Sequence, residues 1–311
     1  MAEGPIAAEP RTELAVLVMA LRPARNCLSR ERLERARRYA RHRAGRVLFA
    51  FADGCGEIAG GHPYRLHASA SVIKVMLLVA YLRRHDVRDR RLSRGERATL
   101  GAMIKESDNQ AASEVFAIVG ESGLRRLARA VGMRRFRTSS SWGDSGITAG
   151  DQAGFVRRLE RYLPSQHEDY PLELMARITP GQRWGITEVA PAGWGVHFKS
   201  GWYPVDGSTG WRVNQIATLR RGRRSISLAV LSDNNSSFGY GRETIRGVER
   251  LLLRRLPPLS GLRAVEALEQ HLQHAGGGSP DEGPVDLVRR GPEGDAAPEQ
   301  PAHRVALAKP A

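Results

Sequence analysis

The stretch His67-Ala68-Ser69-Ala70-Ser71-Val72-Ile73-Lys74-Val75-Met76-Leu77-Leu78-Val79-Ala80-Tyr81-Leu82 constrains the fold of this chain more than any other. From Val72 to Leu82 the only charged residue is Lys74, so a helix here has no polar face to turn to solvent and has to sit inside a core. If the helix begins near Ser71, then Ser71 and Lys74 lie three residues apart, on one face and about one turn from each other. A serine hydroxyl becomes a useful nucleophile when a neighbouring base takes its proton. A lysine amine is such a base once desolvation or a nearby cation lowers its pKa. The stretch supplies both a hydroxyl and a buried amine.

Ser-x-x-Lys occurs by chance in many chains, and lysine usage gives it weight here. Lys74, Lys105, Lys199 and Lys309 are the only lysines among 48 basic residues, and arginine supplies the other 44. Arginine stays protonated, whereas the lysine amine is the cation whose pKa can be moved for base chemistry. A chain that writes nearly every positive charge as arginine has kept Lys74 inside its most apolar helix.

The 311 residues, 41% hydrophobic and 26% charged, suit a soluble globular protein with a sizeable core. A net charge of +15 favours polyanionic surroundings. The arginines are nevertheless spread in pairs such as Arg83-Arg84, Arg125-Arg126 and Arg220-Arg221, with no basic tract interleaved with aromatics, so nucleic acid is not an expected partner. Cys27 and Cys55 cannot make a four-ligand zinc site, and no metal or cofactor is expected. The two cysteines either pair in an oxidising compartment or are unrelated small hydrophobes. No apolar run reaches the roughly 18 residues that span a membrane. The run Leu14 to Leu21 is short for a signal-peptide core, the front end Met1 to Pro5 carries no positive charge and Glu13 adjoins the run, so no convincing signal is present and the compartment stays open.

Along the chain, Ser29 caps a surface helix through Tyr39, and Arg46 to Asp53 and Glu57 to Gly60 make a hairpin. Ser93-Arg94-Gly95-Glu96 is a capping box opening a helix toward Lys105. Helices follow over Gln110 to Phe116 and Glu121 to Val131, then a Ser/Gly loop from Thr138 to Gly146. Thr148 caps a helix through Leu163, and another runs from Pro171 to Ile178. Strands are expected at Val196 to Trp202, Trp211 to Leu219 and Ser225 to Leu231, and a last helix at Glu243 to Leu256. This order implies an α+β fold, a five-stranded antiparallel sheet flanked by helices with a mostly helical insertion. The domain spans 29–256, after an N-terminal segment 1–28 and before a Pro/Gly-rich, mostly disordered tail 257–311.

Three signals stand in one order: Ser71-Val72-Ile73-Lys74, Ser107-Asp108-Asn109 and Lys199-Ser200-Gly201. Together they resemble the set S-x-x-K, S-D-N and K-T-G of class A β-lactamases and penicillin-binding proteins, with serine for threonine in the third. The resemblance covers roughly Ser29 to Leu256 and implies the same α+β fold. It casts Ser71 as the acylated nucleophile, Lys74 as the amine that helps deprotonate it, and Ser107 as the hydroxyl relaying a proton to the leaving nitrogen. Lys199 is then the strand lysine that raises local positive potential and keeps Ser107 poised. Asn109 would hold a substrate's side-chain carbonyl and Ser200 its carboxylate, with Arg212 assisting. Gly201 belongs to the third signal, and the oxyanion hole would be the backbone N–H groups of Ser71 and Trp202. Asn214 lies in Asn214-Gln215-Ile216-Ala217, similar to a segment on the next strand in many relatives.

One departure bears on function. Class A β-lactamases carry a loop glutamate that holds the deacylating water, whereas Arg137 to Thr148 is short and has only Asp144 as an acid. Glu160, Glu168 and Glu173 fall after the loop and read as surface charges. The resemblance implies a secreted or cell-envelope serine hydrolase, monomeric, acting on a small-molecule β-lactam or peptidoglycan-like amide through a Ser71 acyl-enzyme, with antibiotic resistance as its setting. The alternatives are a D-alanyl peptidase-type penicillin-binding protein or esterase with slow deacylation, and a non-catalytic binder of an anionic wall polymer.

Overall fold

The computed structural model describes residues 28–53, 55, 58–205 and 210–254. Ser29 caps α1 (Arg30–Arg41), its hydroxyl accepting from the Arg32 N–H. The chain then enters β1 (Arg46–Ala52), buried along nearly all its length, and returns as β2 (Ala59–Gly61), with Phe49 opposite Gly61 and Phe51 opposite Ala59. Just past β1, Asp53 accepts from the Leu28 N–H at 2.8 Å and the Cys55 N–H at 2.9 Å. Cys55 is disulfide-bonded, and Cys27 lies outside the described residues.

A two-residue strand, β3 (His67–Ala68), leads into a 3-10 turn, Ala70–Ile73, which continues directly as α2 (Lys74–Leu82). Every residue from Val72 to Leu82 is buried, as the missing polar face requires. Each large aliphatic side chain among them contributes ~1.5–3 kcal/mol by leaving water. The capping box of Ser93 and Glu96 opens α3 (Arg94–Gly101), and the helix widens into a π-helical turn, Ala102–Glu106. The two helices expected beyond it follow end to end over Asn109–Ala130 (together α4), separated by a kink at Gly120, whose φ of 64° and ψ of 171° suit glycine alone.

Inside the Ser/Gly loop a 3-10 turn covers Trp142–Asp144, and β4 (Gly146–Ile147) pairs antiparallel with β3. Two residues are too few to show a strand period, so the sequence pattern hides this pairing. Thr148 caps α5 (Ala149–Arg157), which gives way early to a 3-10 turn at Leu159–Tyr162; α6 (Tyr170–Ala176) and the four-residue α7 (Ile186–Val189) follow. Then come β5 (Gly195–Pro204), β6 (Trp211–Arg221), β7 (Arg224–Asn235) and α8 (Phe238–Leu253). Ser237 caps α8 well before the expected Glu243, a start masked by Gly239 and Gly241. Gly241 is there for packing, since a Cβ would stand 2.4 Å from Val213 Cγ2.

The architecture is α+β, with a five-stranded antiparallel sheet in the order β2-β1-β7-β6-β5. β7 is buried from Ile226 to Asp233 without alternation, as a strand covered on both faces must be. α8 packs on β6 and β7 with α1 against it, α5 packs on β1, β6 and β7, and the apolar α2 packs on α4. No helix among the described residues is long and apolar enough to cross a membrane.

Candidate active site

The site forms where the 3-10 turn, the segment after the π-helical turn, and β5 meet. A 3-10 turn has three residues per turn, so Ser71 and Lys74 stack on one side. The residue before the nucleophile, Ala70, has φ of 47°, and Ser107 has φ of 60°. Left-handed backbone at non-glycine residues costs on the order of 1–3 kcal/mol each, and of the four instances among the described residues these two line the same cavity.

Lys74 is fully buried, and its ammonium donates to the Ser107 carbonyl at 2.6 Å, Asn109 Oδ1 at 2.8 Å and Ser107 Oγ at 3.3 Å. The Trp142 ring centroid lies 4.9 Å from the same nitrogen. Burial lowers the Lys74 amine to about 7, against the opposing pull of Asp108. Lys199, also fully buried, donates to Ser107 Oγ and to the Ser200 carbonyl, both at 2.9 Å. Burial and then the charge of Lys74 push Lys199 well below its ordinary value. Ser107 Oγ therefore accepts from two amines, which leaves its own O–H free to be donated.

The approach to Ser71 is braced from the sheet. Asn214 on β6 is buried and donates to the Ala68 and Ser69 carbonyls at 2.9 and 3.1 Å. Its Oδ1 accepts from the Ser232 N–H and from His67 Nε2, both at 3.1 Å, which assigns the His67 proton to Nε2. Burial lowers His67 to about 4, so the ring is neutral near pH 7. On β5, Gly201 faces the turn so closely that a Cβ would stand 2.4 Å from the Ser71 nitrogen. Only glycine lets the strand backbone approach the nucleophile in this way.

These groups open into a cavity of about 530 Å³ lined by Ser71, Glu106, Ser107, Asn109, Trp142, Asp144, Trp202 and Tyr203, among others. A sequence profile described as the beta-lactamase enzyme family matches residues 96–256, over half of the chain. The chain belongs to the beta-lactamase enzyme family. The matched span takes in Ser107, Asn109 and Lys199, while Ser71 and Lys74 precede it and join the site through the fold. A class A beta-lactamase from Mycobacterium abscessus superposes with a TM-score of 0.57 at 22% identity, over 72% of this chain and 98% of its own. A beta lactamase from Xanthomonas campestris gives 0.62 at 19% identity, over 73% and 98%, and one from Burkholderia vietnamiensis 0.62 at 20%, over 74% and 97%. No curated protein matches the chain. Family and fold together are those of a beta-lactamase-like hydrolase.

In this beta-lactamase family member some of the residues singled out in the sequence sit off the cavity wall. Ser200 is 2% exposed, and its Oγ accepts from Gln215 Nε2 at 2.8 Å. Arg212 lies outside the cavity and binds Asp233 at 2.9 Å and the Tyr203 hydroxyl. That hydroxyl donates to Asp144 at 2.7 Å, so the loop's one acid is tied to β5. Glu160, read as a surface charge, is half-buried against Arg220. Glu106 and Tyr203 line the cavity although no motif marked them, the only signal being that each adjoins a residue that does. Among the described residues no cluster of three or more His, Cys, Asp or Glu could hold a metal ion.

Proposed function

We propose that this family member is a serine hydrolase that forms an acyl-enzyme at Ser71 and opens a β-lactam or related amide. The observation that carries the reading is Ser107 Oγ held between the Lys74 and Lys199 amines, at 3.3 and 2.9 Å, at the wall of the cavity that Ser71 lines. With its pKa near 7, Lys74 is partly neutral at neutral pH, and the free lone pair takes the Ser71 proton as Oγ bonds to the carbonyl carbon. The oxyanion falls to the Ser71 and Trp202 N–H groups by the family resemblance. Breakdown expels the amide nitrogen, which receives the Ser107 proton, and Ser107 recovers one from the Lys74 ammonium. Water then releases the acyl group and returns Ser71.

A second reading, a D-alanyl peptidase-type penicillin-binding protein with a long-lived acyl-enzyme, gains support from the loop. Asp144 is engaged by Tyr203 and stands 4.0 Å from Arg212, so the position that supplies the deacylating base in class A enzymes offers no free carboxylate. Intact-protein mass spectrometry during incubation with a penicillin tests both readings. A one-drug adduct absent in Ser71→Ala supports the acyl-enzyme; decay within minutes favours the β-lactamase and persistence for hours the peptidase. No adduct at all would sink both in favour of a binding role.

A further inference from the structure

The Ser/Gly loop is fastened to the turn that carries the nucleophile. Ser69, two residues before Ser71, donates its N–H to the Ser145 carbonyl at 2.9 Å and its hydroxyl to the Gly143 carbonyl at 3.0 Å. Beside it β3 pairs His67 with Ile147 and Ala68 with Gly146. Trp142 lies inside this stretch and lines the cavity. Its indole N–H donates to Ser113 Oγ on α4 at 3.2 Å, which orients the ring, and the ring centroid stands 4.9 Å from Lys74 Nζ. An ammonium has three protons to donate. Those of Lys74 find the Ser107 carbonyl, Asn109 Oδ1 and Ser107 Oγ, and the indole takes up a further side of the same nitrogen. The amine is fully buried and keeps no proton for bulk water.

No carboxylate shares the loop side of this nitrogen. Asp144, two residues beyond Trp142, accepts from the Tyr203 hydroxyl at 2.7 Å, and Asp108 caps α4 by accepting from the Ala111 N–H at 2.7 Å. Among the described residues Lys74 makes no hydrogen bond or ion pair with an acid. Release of an acyl group needs a water whose oxygen bonds to the acyl carbon while a base takes its proton and hands it to the departing Ser71 Oγ. In class A β-lactamases the loop glutamate holds that water, whereas the loop here presents an indole to the lysine. An aromatic face holds a cation but has no lone pair to take a proton from water.

We infer that Trp142 sets the lifetime of the Ser71 acyl-enzyme, its indole closing the loop side of the Lys74 amine to water while holding that amine on Ser107 and Asn109. Trp142 is thus a positioning residue, acting through Lys74, and a barrier to deacylation. This rests on Ser71 being the nucleophile. Intact-protein mass spectrometry of the full chain with a penicillin gives the acylation and decay rates separately. Wild type should label at Ser71 and stay labelled for hours. Trp142→Ala should lose its adduct ~10-fold faster, the upper worth of one hydrogen bond to a newly admitted water, without acylating faster. Trp142→Phe keeps an aromatic face over the amine and should hold its adduct as wild type does, and Ser113→Ala, which frees the indole N–H, should fall between. General damage to the site would slow acylation rather than hasten decay, and thermal melting of each variant reports the fold. A wild-type adduct that decays within minutes, a Trp142→Ala adduct as durable as that of wild type, or a Trp142→Phe adduct as short-lived as that of Trp142→Ala overturns the role of Trp142 and leaves Ser71 standing. No Ser71-dependent adduct overturns the serine-hydrolase reading and the role of Trp142 with it.

Discussion

Among the described residues two places bury ionisable side chains completely, and they treat them in opposite ways. At the floor of the site Lys74 and Lys199 are fully buried, and each donates to at least two oxygens 2.6 to 3.3 Å away. On α8, Glu249 is equally buried and neither carboxyl oxygen has a hydrogen-bond partner. Its surroundings are tight, for a Cβ on Gly185 would lie 3.1 Å from Glu249 Oε2 and 2.6 Å from Gln215 Oε1. Burial, and then the charge of Glu188, raise the Glu249 carboxyl well above its ordinary range. Burial thus disfavours charge in both places. At Lys74 the charge of Asp108 pulls against that effect and the amine comes to about 7, whereas at Glu249 the charge of Glu188 adds to it.

The largest test of that contrast is Lys74→Arg. Arginine keeps the charge and the buried donors but never yields a lone pair, so acylation of Ser71 should fall ~10²–10⁴-fold, the usual worth of a general base. In the wild type the acylation rate should climb with pH and level off above about 7, because the neutral amine is the active form. A flat profile between pH 5 and 9, or an arginine variant within tenfold of wild type, would remove Lys74 from the role of base.

Next comes Gly201→Ala, whose added Cβ would meet the Ser71 nitrogen at 2.4 Å. Displacing that N–H from the nucleophile's turn should cost about 10²–10³ in acylation rate, as for loss of an oxyanion donor. Circular dichroism and thermal melting distinguish this from unfolding; a variant that melts normally and acylates normally contradicts the close approach.

For Glu249 the sign runs the other way. Its folded pKa is raised, so the stability it contributes is complete below its unfolded value near 4.5 and is lost as pH rises. Glu249→Gln removes that loss, and its advantage over wild type should grow by ~1.4 kcal/mol for each pH unit above 4.5 until the buried acid ionises. Urea unfolding of both proteins at pH 5 and pH 7 measures it, and a difference independent of pH would mean that Glu249 finds a partner.

The smallest effect is expected from Tyr203→Phe, which removes the hydroxyl held to Asp144 at 2.7 Å. Acylation should be unchanged and adduct decay altered by about fivefold or less, the worth of one hydrogen bond. A larger acceleration of decay, read by mass spectrometry, would make Asp144 a latent deacylation base.

Much of the fold was legible because its signals are local. Ser29, Ser93, Thr148 and the apolar run after Ser71 act on neighbours within a turn or two, and caps and periods record such interactions directly. The apolar run of β7 was equally plain. The start of α8 was not, because Gly241 is placed for contact with Val213 on another element and lowers the apparent helix propensity. The pairing of β3 with β4 was invisible for the same reason, two residues being matched to a distant two.

The chain by itself determined that a serine and a lysine would share one buried turn, and that Ser107, Asn109 and Lys199 would be available to join them. Tertiary structure alone decided where the polar groups point. It turned Ser200 onto Gln215, tied Asp144 to Tyr203, left Glu106 open at the cavity and sealed Glu249 without a partner. Each outcome depends on which strand or helix a side chain meets across the fold, and such meetings between distant segments leave no period, cap or motif in the chain that makes them.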